Sequence, residues 1–200
     1  MDIKLYHTPG SRSVRPRWLM EELGLEYELI NVALFQGEGE TKEYKKIHPL
    51  GQVPALDLNG DIMLESAAMC HWLTDSYDDH YLAPAMGDPA RRQYEQWMSF
   101  SQASLEPWPW LAMLHGRFLP EDERVADIIP WANDRLVPAL VILNDAMIGK
   151  DYLLGEQFTT ADIMIGSTLL WIPQMLVNFP ELLAYAQRLK QRPAYQRAMA

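Results

Sequence analysis

A change of hydrophobic period near residue 78 constrains this chain more than any other feature. Upstream of it, short apolar runs alternate with a helical pattern. "IKLY" has the length and composition of a strand, "VRPRWLMEELGL" that of a helix closed by Gly24, and "YELINVAL" that of a second strand. After the polar "QGEGETKEYKK" come "VPALDL" and "DIMLES", joined through Asn59-Gly60, a dipeptide suited to a tight hairpin. The helix "SAAMCHWLTDSY" closes a β-α-β, loop, β-β-α unit. From "DDHYLAPAMGDPA" onward strand signals fade and apolar residues recur at three and four. There "RRQYEQWMSFSQASLE", "RVADIIPWANDRLVPALVILNDAMI", "TADIMIGSTLLWI" and "ELLAYAQRLKQ" predict helices. The expected organisation is an α/β domain over 1–78, a linker over 79–86 and an all-α domain over 87–200. Prolines 107, 109, 130, 138 and 173 are expected to kink or split the later helices, because each removes a backbone donor.

The formal net charge of -10 opposes a phosphate backbone or an anionic membrane as the main partner. "MDIKLYHT" lacks a signal-peptide core, and the apolar "STLLWIPQMLVNF" is broken by Pro173 and too short to span a bilayer. A soluble, cytoplasmic protein is the expectation, with no nucleic-acid or membrane partner. The single cysteine, Cys70, cannot form an internal disulfide or a C-x-x-C pair, so any thiol chemistry must borrow its sulfur from outside. The five histidines show no metal-ligand spacing, and no phosphate-binding glycine loop is present, so neither a metal nor a tightly held cofactor is expected.

Three segments hold polar groups where chemistry is conceivable. In "HPLGQVPAL", Pro54 pushes Val53 into extended geometry and would turn its N–H and C=O outward, although a plain loop entering a strand has the same pattern. In "LESAAM", Ser66 is a natural N-cap, its helix N-terminus suits an anion, and Glu65 beside it suits an ammonium. In "YHTPGSRSVRPRW", Ser13 as the N-cap puts Pro16 at the third helical position, where its missing N–H is not needed. That assignment leaves Ser11 free, as a candidate site group or as an ordinary turn residue. Tyr6 ends the strand and suits the core. Arg12, Arg15 and Arg17 make either a locally positive mouth or a solvated face. In "FTTADI", Thr159 and Asp162 have the spacing of a capping box, with Phe158 and Ile163 at the staple positions, which gives Asp162 a structural role.

In order and spacing, "LYHTPGS", "EELGLEYEL", "HPLGQVPAL", "LESAA" and "FTTADI" resemble the cytosolic glutathione transferases over nearly the whole chain. The resemblance implies a thioredoxin-like N-terminal domain that binds glutathione, an all-helical C-terminal domain, a cis proline at Pro54 and a C2 homodimer. It also implies that Val53 pairs its backbone with the cysteinyl part of glutathione, while Glu65 and Ser66 hold the γ-glutamyl end. Gln52 is placed at the peptide, and Lys45 or Lys46 at the glycine carboxylate. His48 replaces the asparagine more usual before the proline at position 49. Ser11 aligns with the serine that faces the sulfur in several classes, while Arg12 stands where some bacterial members carry a cysteine. Trp108, Trp110 and Met113 fall where such proteins line the pocket of a hydrophobic electrophile, with "EPWPW" as a kinked aromatic wall. Trp97 is as well suited to the bundle core.

The expected activity is transfer, with glutathione as cosubstrate and Ser11 holding its sulfur as thiolate. "SRSVR" is also similar to the serine-rich signature of the zeta-type members, which isomerise maleyl compounds, but Gly10 and Arg12 replace a serine and a cysteine of the fuller signature. Disulfide reduction on the same site, or binding of glutathione or another ligand without catalysis, are the alternatives.

Overall fold

A computed structural model describes residues 2–78 and 81–200, in two units: Met1–Asp79 with Lys190–Ala200, and His80–Leu189. The first unit runs β1 (Ile3–His7), α1 (Val14–Leu23), β2 (Glu28–Asn31), β3 (Ala55–Leu58), β4 (Asp61–Met63) and α2 (Ser66–Tyr77). Its sheet has the order β2-β1-β3-β4. β2 lies parallel to β1, reached through α1, and β3 and β4 are antiparallel. This is the α/β unit expected.

Local chemistry explains most of its boundaries. Gly24 ends α1 in a left-handed conformation, its N–H donating to Met20 O. Asn59 and Gly60 both have positive φ, as a two-residue hairpin turn of this twist requires. β3 starts at Ala55, one residue after Pro54, which has no N–H to give a ladder. β1 alternates, with Ile3, Leu5 and His7 buried.

The final helix, α8 (Pro193–Met199), belongs to this unit, although the whole of 87–200 was expected in the helical domain. Trp18 of α1 meets Tyr195 edge to face at 4.9 Å, Arg192 grips Glu22 with bonds of 2.7 and 2.8 Å, and Arg197 reaches Glu21 at 2.7 Å. Of the expected linker 79–86, residues 79 and 80 lie outside the described residues.

The second unit is helical: α3 (Arg91–Phe100), α4 (Pro107–Met113), α5 (Ile128–Met147), α6 (Thr160–Leu169) and α7 (Pro180–Lys190). Its prolines, expected to kink or split helices, fall in different settings. Pro107 and Pro109 lie where the backbone stays helical from α3, directly after a π-helical segment over Ser101–Leu105, whereas Pro130 occupies the third position of α5, where no N–H is required. Pro138 lies inside a helix that continues through it. α6 is buried along its length. Its N-terminus is a closed capping box: Thr159 N donates to Asp162 Oδ2 at 2.7 Å, while Oδ1 accepts from Leu153 N at 2.9 Å and Tyr185 Oη at 2.8 Å. Among the described residues no helix is long and apolar enough to cross a membrane.

Candidate active site

The antiparallel pairing of β1 with β3 sets Tyr6 opposite Ala55, so the loop after β1 and the Val53-Pro54 segment before β3 lie at one end of the sheet. β4 returns to the same end, with Met63 opposite Leu56, and delivers Glu65 and the first turn of α2 there. Topology thus gathers Ser11, Val53, Glu65 and Ser66 from separated stretches of chain. The Val53-Pro54 peptide bond is cis.

Ser11 is not free, contrary to expectation. Its Oγ donates to Thr8 O at 2.7 Å and accepts from Ser13 N at 3.2 Å, with Ser13 Oγ also at 2.7 Å. Ser13 occupies the N-cap position but makes no capping bond with its side chain. Its hydroxyl is drawn to His7 Nδ1 at 2.7 Å and accepts from Thr8 N at 3.1 Å. The buried imidazole competes successfully for a hydroxyl that local rules assign to the helix end. Burial, with the Arg17 charge, lowers the His7 pKa to about 4, so the ring is neutral near pH 7. Tyr6 is half-buried, edge-on to Tyr44 at 6.0 Å, and burial raises its pKa.

Neither alternative expected for the arginines describes Arg15, which is fully buried and donates from Nη1 to Ser66 Oγ at 3.3 Å. Ser66 is the first residue of α2, not its cap. The cap is Glu65, exposed and held at φ 72°, a backbone conformation that non-glycine residues rarely adopt. The α2 N-terminus thus presents Ser66 Oγ with one lone pair already taken by a cation, leaving its proton for an anion. Cys70, one turn further along α2, is buried and its thiol is pushed up to about 12.

Two glycines shape the loop that leads to Val53. A Cβ at Gly39 would overlap the carbonyl oxygen of Gly51, and one at Gly51 would overlap that of Gly39. His48 accepts from Gly51 N at 2.8 Å through its carbonyl, and Tyr44 Oη donates to Gln52 O at 2.7 Å. Gln52, Lys45 and Lys46 are exposed, and Lys45 is paired with Glu40 at 2.7 Å.

With this geometry stand two matches of sequence. Residues 1–75 match the glutathione S-transferase N-terminal domain, and residues 107–193 match the glutathione S-transferase C-terminal domain. The chain belongs to the glutathione S-transferase family. It is 32% identical to glutathione S-transferase 3 of Schizosaccharomyces pombe, over 96% of this chain and 78% of that one. It is 29% identical to a zeta-class glutathione S-transferase of Euphorbia esula, over 98% and 89%. A glutathione transferase from Phanerochaete chrysosporium, solved in complex with oxidized glutathione, superimposes with a TM-score of 0.87 at 25% identity, over 98% of this chain and 94% of that one. The first unit is accordingly the thioredoxin-like N-terminal domain of a glutathione S-transferase, and the second its helical C-terminal domain.

In the C-terminal domain of this glutathione S-transferase family member, "EPWPW" does not form one aromatic wall. α4 is a helix, and residues two apart on a helix diverge. Trp108 meets Trp131 of α5 edge to face at 5.6 Å, whereas Trp110 meets Phe118 at 5.6 Å. Met113, one turn after Trp110, has its sulfur 3.4 Å from Arg117 Nη2. Trp97 is a core residue, 3% exposed. His7 escaped the sequence-based site, and Arg15 entered it only as part of a positive mouth or a solvated face, not as a buried partner of Ser66. The available signal was His7 occupying the inward position of the Ile3, Leu5 alternation.

Proposed function

We propose that this glutathione S-transferase family member binds glutathione at the β1, β3 and α2 end of its first unit and holds the sulfur as thiolate with the Ser11 hydroxyl. The observation that carries this reading is the convergence of Ser11, Val53 and Ser66 at one end of the sheet. The thiol proton leaves to solvent. The sulfur lone pair then forms a bond to an electrophilic carbon, while a leaving group departs with its electron pair or a strained C–O bond opens.

The chain's own thiol is no rival, since Cys70 is buried and protonated at neutral pH. A free thiol has a pKa of about 8.5, so only a few per cent is ionised near pH 7. A hydrogen bond to a charged group contributes roughly 1.5 to 3 kcal/mol, and one pKa unit is about 1.4 kcal/mol, so one hydroxyl lowers the thiol pKa by roughly one to two units. The N-terminus of α1 acts in the same direction.

A second reading, glutathione-dependent isomerisation, is favoured by the zeta-class relative. It is weakened by Gly10 and Arg12, which replace a serine and a cysteine of that signature. A homodimer in the cytoplasm completes the proposal.

Thiolate absorbance of bound glutathione, titrated in the wild type and in Ser11→Ala, tests it. The wild type should show a lowered thiol pKa that rises by roughly one to two units on mutation. An unperturbed thiol in the wild type would make the protein a carrier. Turnover of aryl halides, epoxides, unsaturated carbonyls or mixed disulfides then distinguishes transfer from reduction.

A further inference from the structure

β1 turns Ile3, Leu5 and His7 to one buried face, so an imidazole stands where the alternation asks for an apolar side chain. A buried imidazole needs partners for both nitrogens. Nδ1 lies 2.7 Å from Ser13 Oγ, and Nε2 lies 3.4 Å from Arg17 Nη1. A guanidinium donates and never accepts. Nε2 is therefore the acceptor, and in the neutral ring the proton sits on Nδ1. Burial and the Arg17 charge keep the ring neutral near pH 7.

That tautomer sets the direction of every bond beyond it. Nδ1–H and Thr8 N–H fill the two lone pairs of Ser13 Oγ. The Ser13 proton goes to the nearer of its remaining acceptors, Ser11 Oγ at 2.7 Å rather than Thr8 O at 3.2 Å. Ser11 Oγ also accepts Ser13 N–H at 3.2 Å, so both its lone pairs are filled. Its one remaining capacity is its own proton, which meets Thr8 O at 2.7 Å. In the opposite tautomer the Ser13 proton would turn to Nδ1, and Ser11 would be left with an open lone pair.

We propose that His7 and Ser13 are positioning residues, oriented by Arg17, that leave the Ser11 hydroxyl able to donate but not to accept, so that it stabilises a thiolate and accepts no bond from the S–H of a neutral thiol. This rests on Ser11 being the group that faces the glutathione sulfur. Thr8 O is the weaker competitor for the Ser11 proton, because a hydrogen bond to an ionised acceptor is about twice as strong as one between neutral groups. No proton is passed through His7.

Two measurements test this. Nitrogen-15 NMR of the imidazole in the unmodified protein, assigned through His7→Asn, should find the proton on Nδ1; a ring protonated on Nε2 overturns the proposal whatever the variants do. In the second, the thiol pKa of bound glutathione is titrated in His7→Leu, Ser13→Ala and His7→Asn, alone and in a Ser11→Ala background. His7→Leu and Ser13→Ala should each raise it by about half a unit to one unit. His7→Asn, whose amide can donate near the position of Nδ1, should restore it. Affinity for S-methylglutathione, which has no thiol, should not change. In the Ser11→Ala background His7→Leu should add nothing. An effect of Ser11→Ala without one of His7→Leu overturns this proposal alone. No effect of Ser11→Ala removes the reading on which it rests, and this proposal with it.

Discussion

Arg15, fully buried in α1, donates to the hydroxyl of Ser66 at the start of α2, joining residues 51 positions apart. The bond spends one Ser66 lone pair and leaves its proton available to an anion at the helix N-terminus. Ser66→Ala is expected to weaken glutathione binding about tenfold, the lower end of a charge-assisted hydrogen bond. Calorimetric titration checks it, and an unchanged Kd would remove Ser66 from the site. Arg15→Met should instead lower stability by about 2 to 3 kcal/mol, through lost packing and polar groups left unpaired.

Gly39 and Gly51 approach so closely that neither tolerates a side chain, and Gly51 also has φ 65°. Gly39→Ala is expected to displace the loop that precedes Val53 and to cost about 1 to 3 kcal/mol. Glutathione affinity should fall with the chemical-denaturation midpoint. A variant with normal affinity and an unchanged midpoint would show that this contact does not shape the site.

The lowered pKa of His7 makes stability depend on acid. Between pH 6.5 and about 4 the unfolded chain binds a proton that the folded chain refuses, so unfolding is favoured as pH falls through that window. Below about 4 both forms are protonated and the dependence on this group ends. The loss across the window is at most about 3 kcal/mol. Urea midpoints of the wild type at pH 7, 5 and 4 should fall faster than those of His7→Asn; parallel curves would show that His7 titrates normally.

Asp162 accepts from Leu153 N, both donors of Thr159 and Tyr185 Oη inside the C-terminal domain. Burial raises its pKa while these donors oppose the shift. Asp162→Asn can place only one oxygen among them and sets an amide N–H₂ against another donor. A loss of about 2 to 4 kcal/mol is expected, seen as a lower thermal midpoint, with kcat per folded molecule unchanged. A specific drop in kcat would instead give Asp162 a part in turnover.

Short-range patterns were enough to write down the strands, the hairpin at Asn59-Gly60, the Gly24 cap and the Thr159-Asp162 box, because each is a contest among neighbours along the chain. The same patterns put Ser13 at the cap position of α1 but misjudged its hydroxyl, and they misplaced the cap of α2. Ser13 gives its hydroxyl to His7 rather than to the helix end, and Ser66 begins a helix whose cap is Glu65. For Pro130 the cost depends on where α5 starts, and one residue of register decides it.

Local periodicity determined which segments became strand or helix, and the family motifs marked the residues of the proposed glutathione site. Tertiary structure alone decided that Arg15 is interior rather than solvated, that α8 closes on α1, that Trp108 and Trp110 part company, and that His7 directs a chain of hydroxyls. Burial of a charged or titratable group depends on partners tens of residues away, whose desolvation and hydrogen bonds outweigh local preference only once the fold has brought them together.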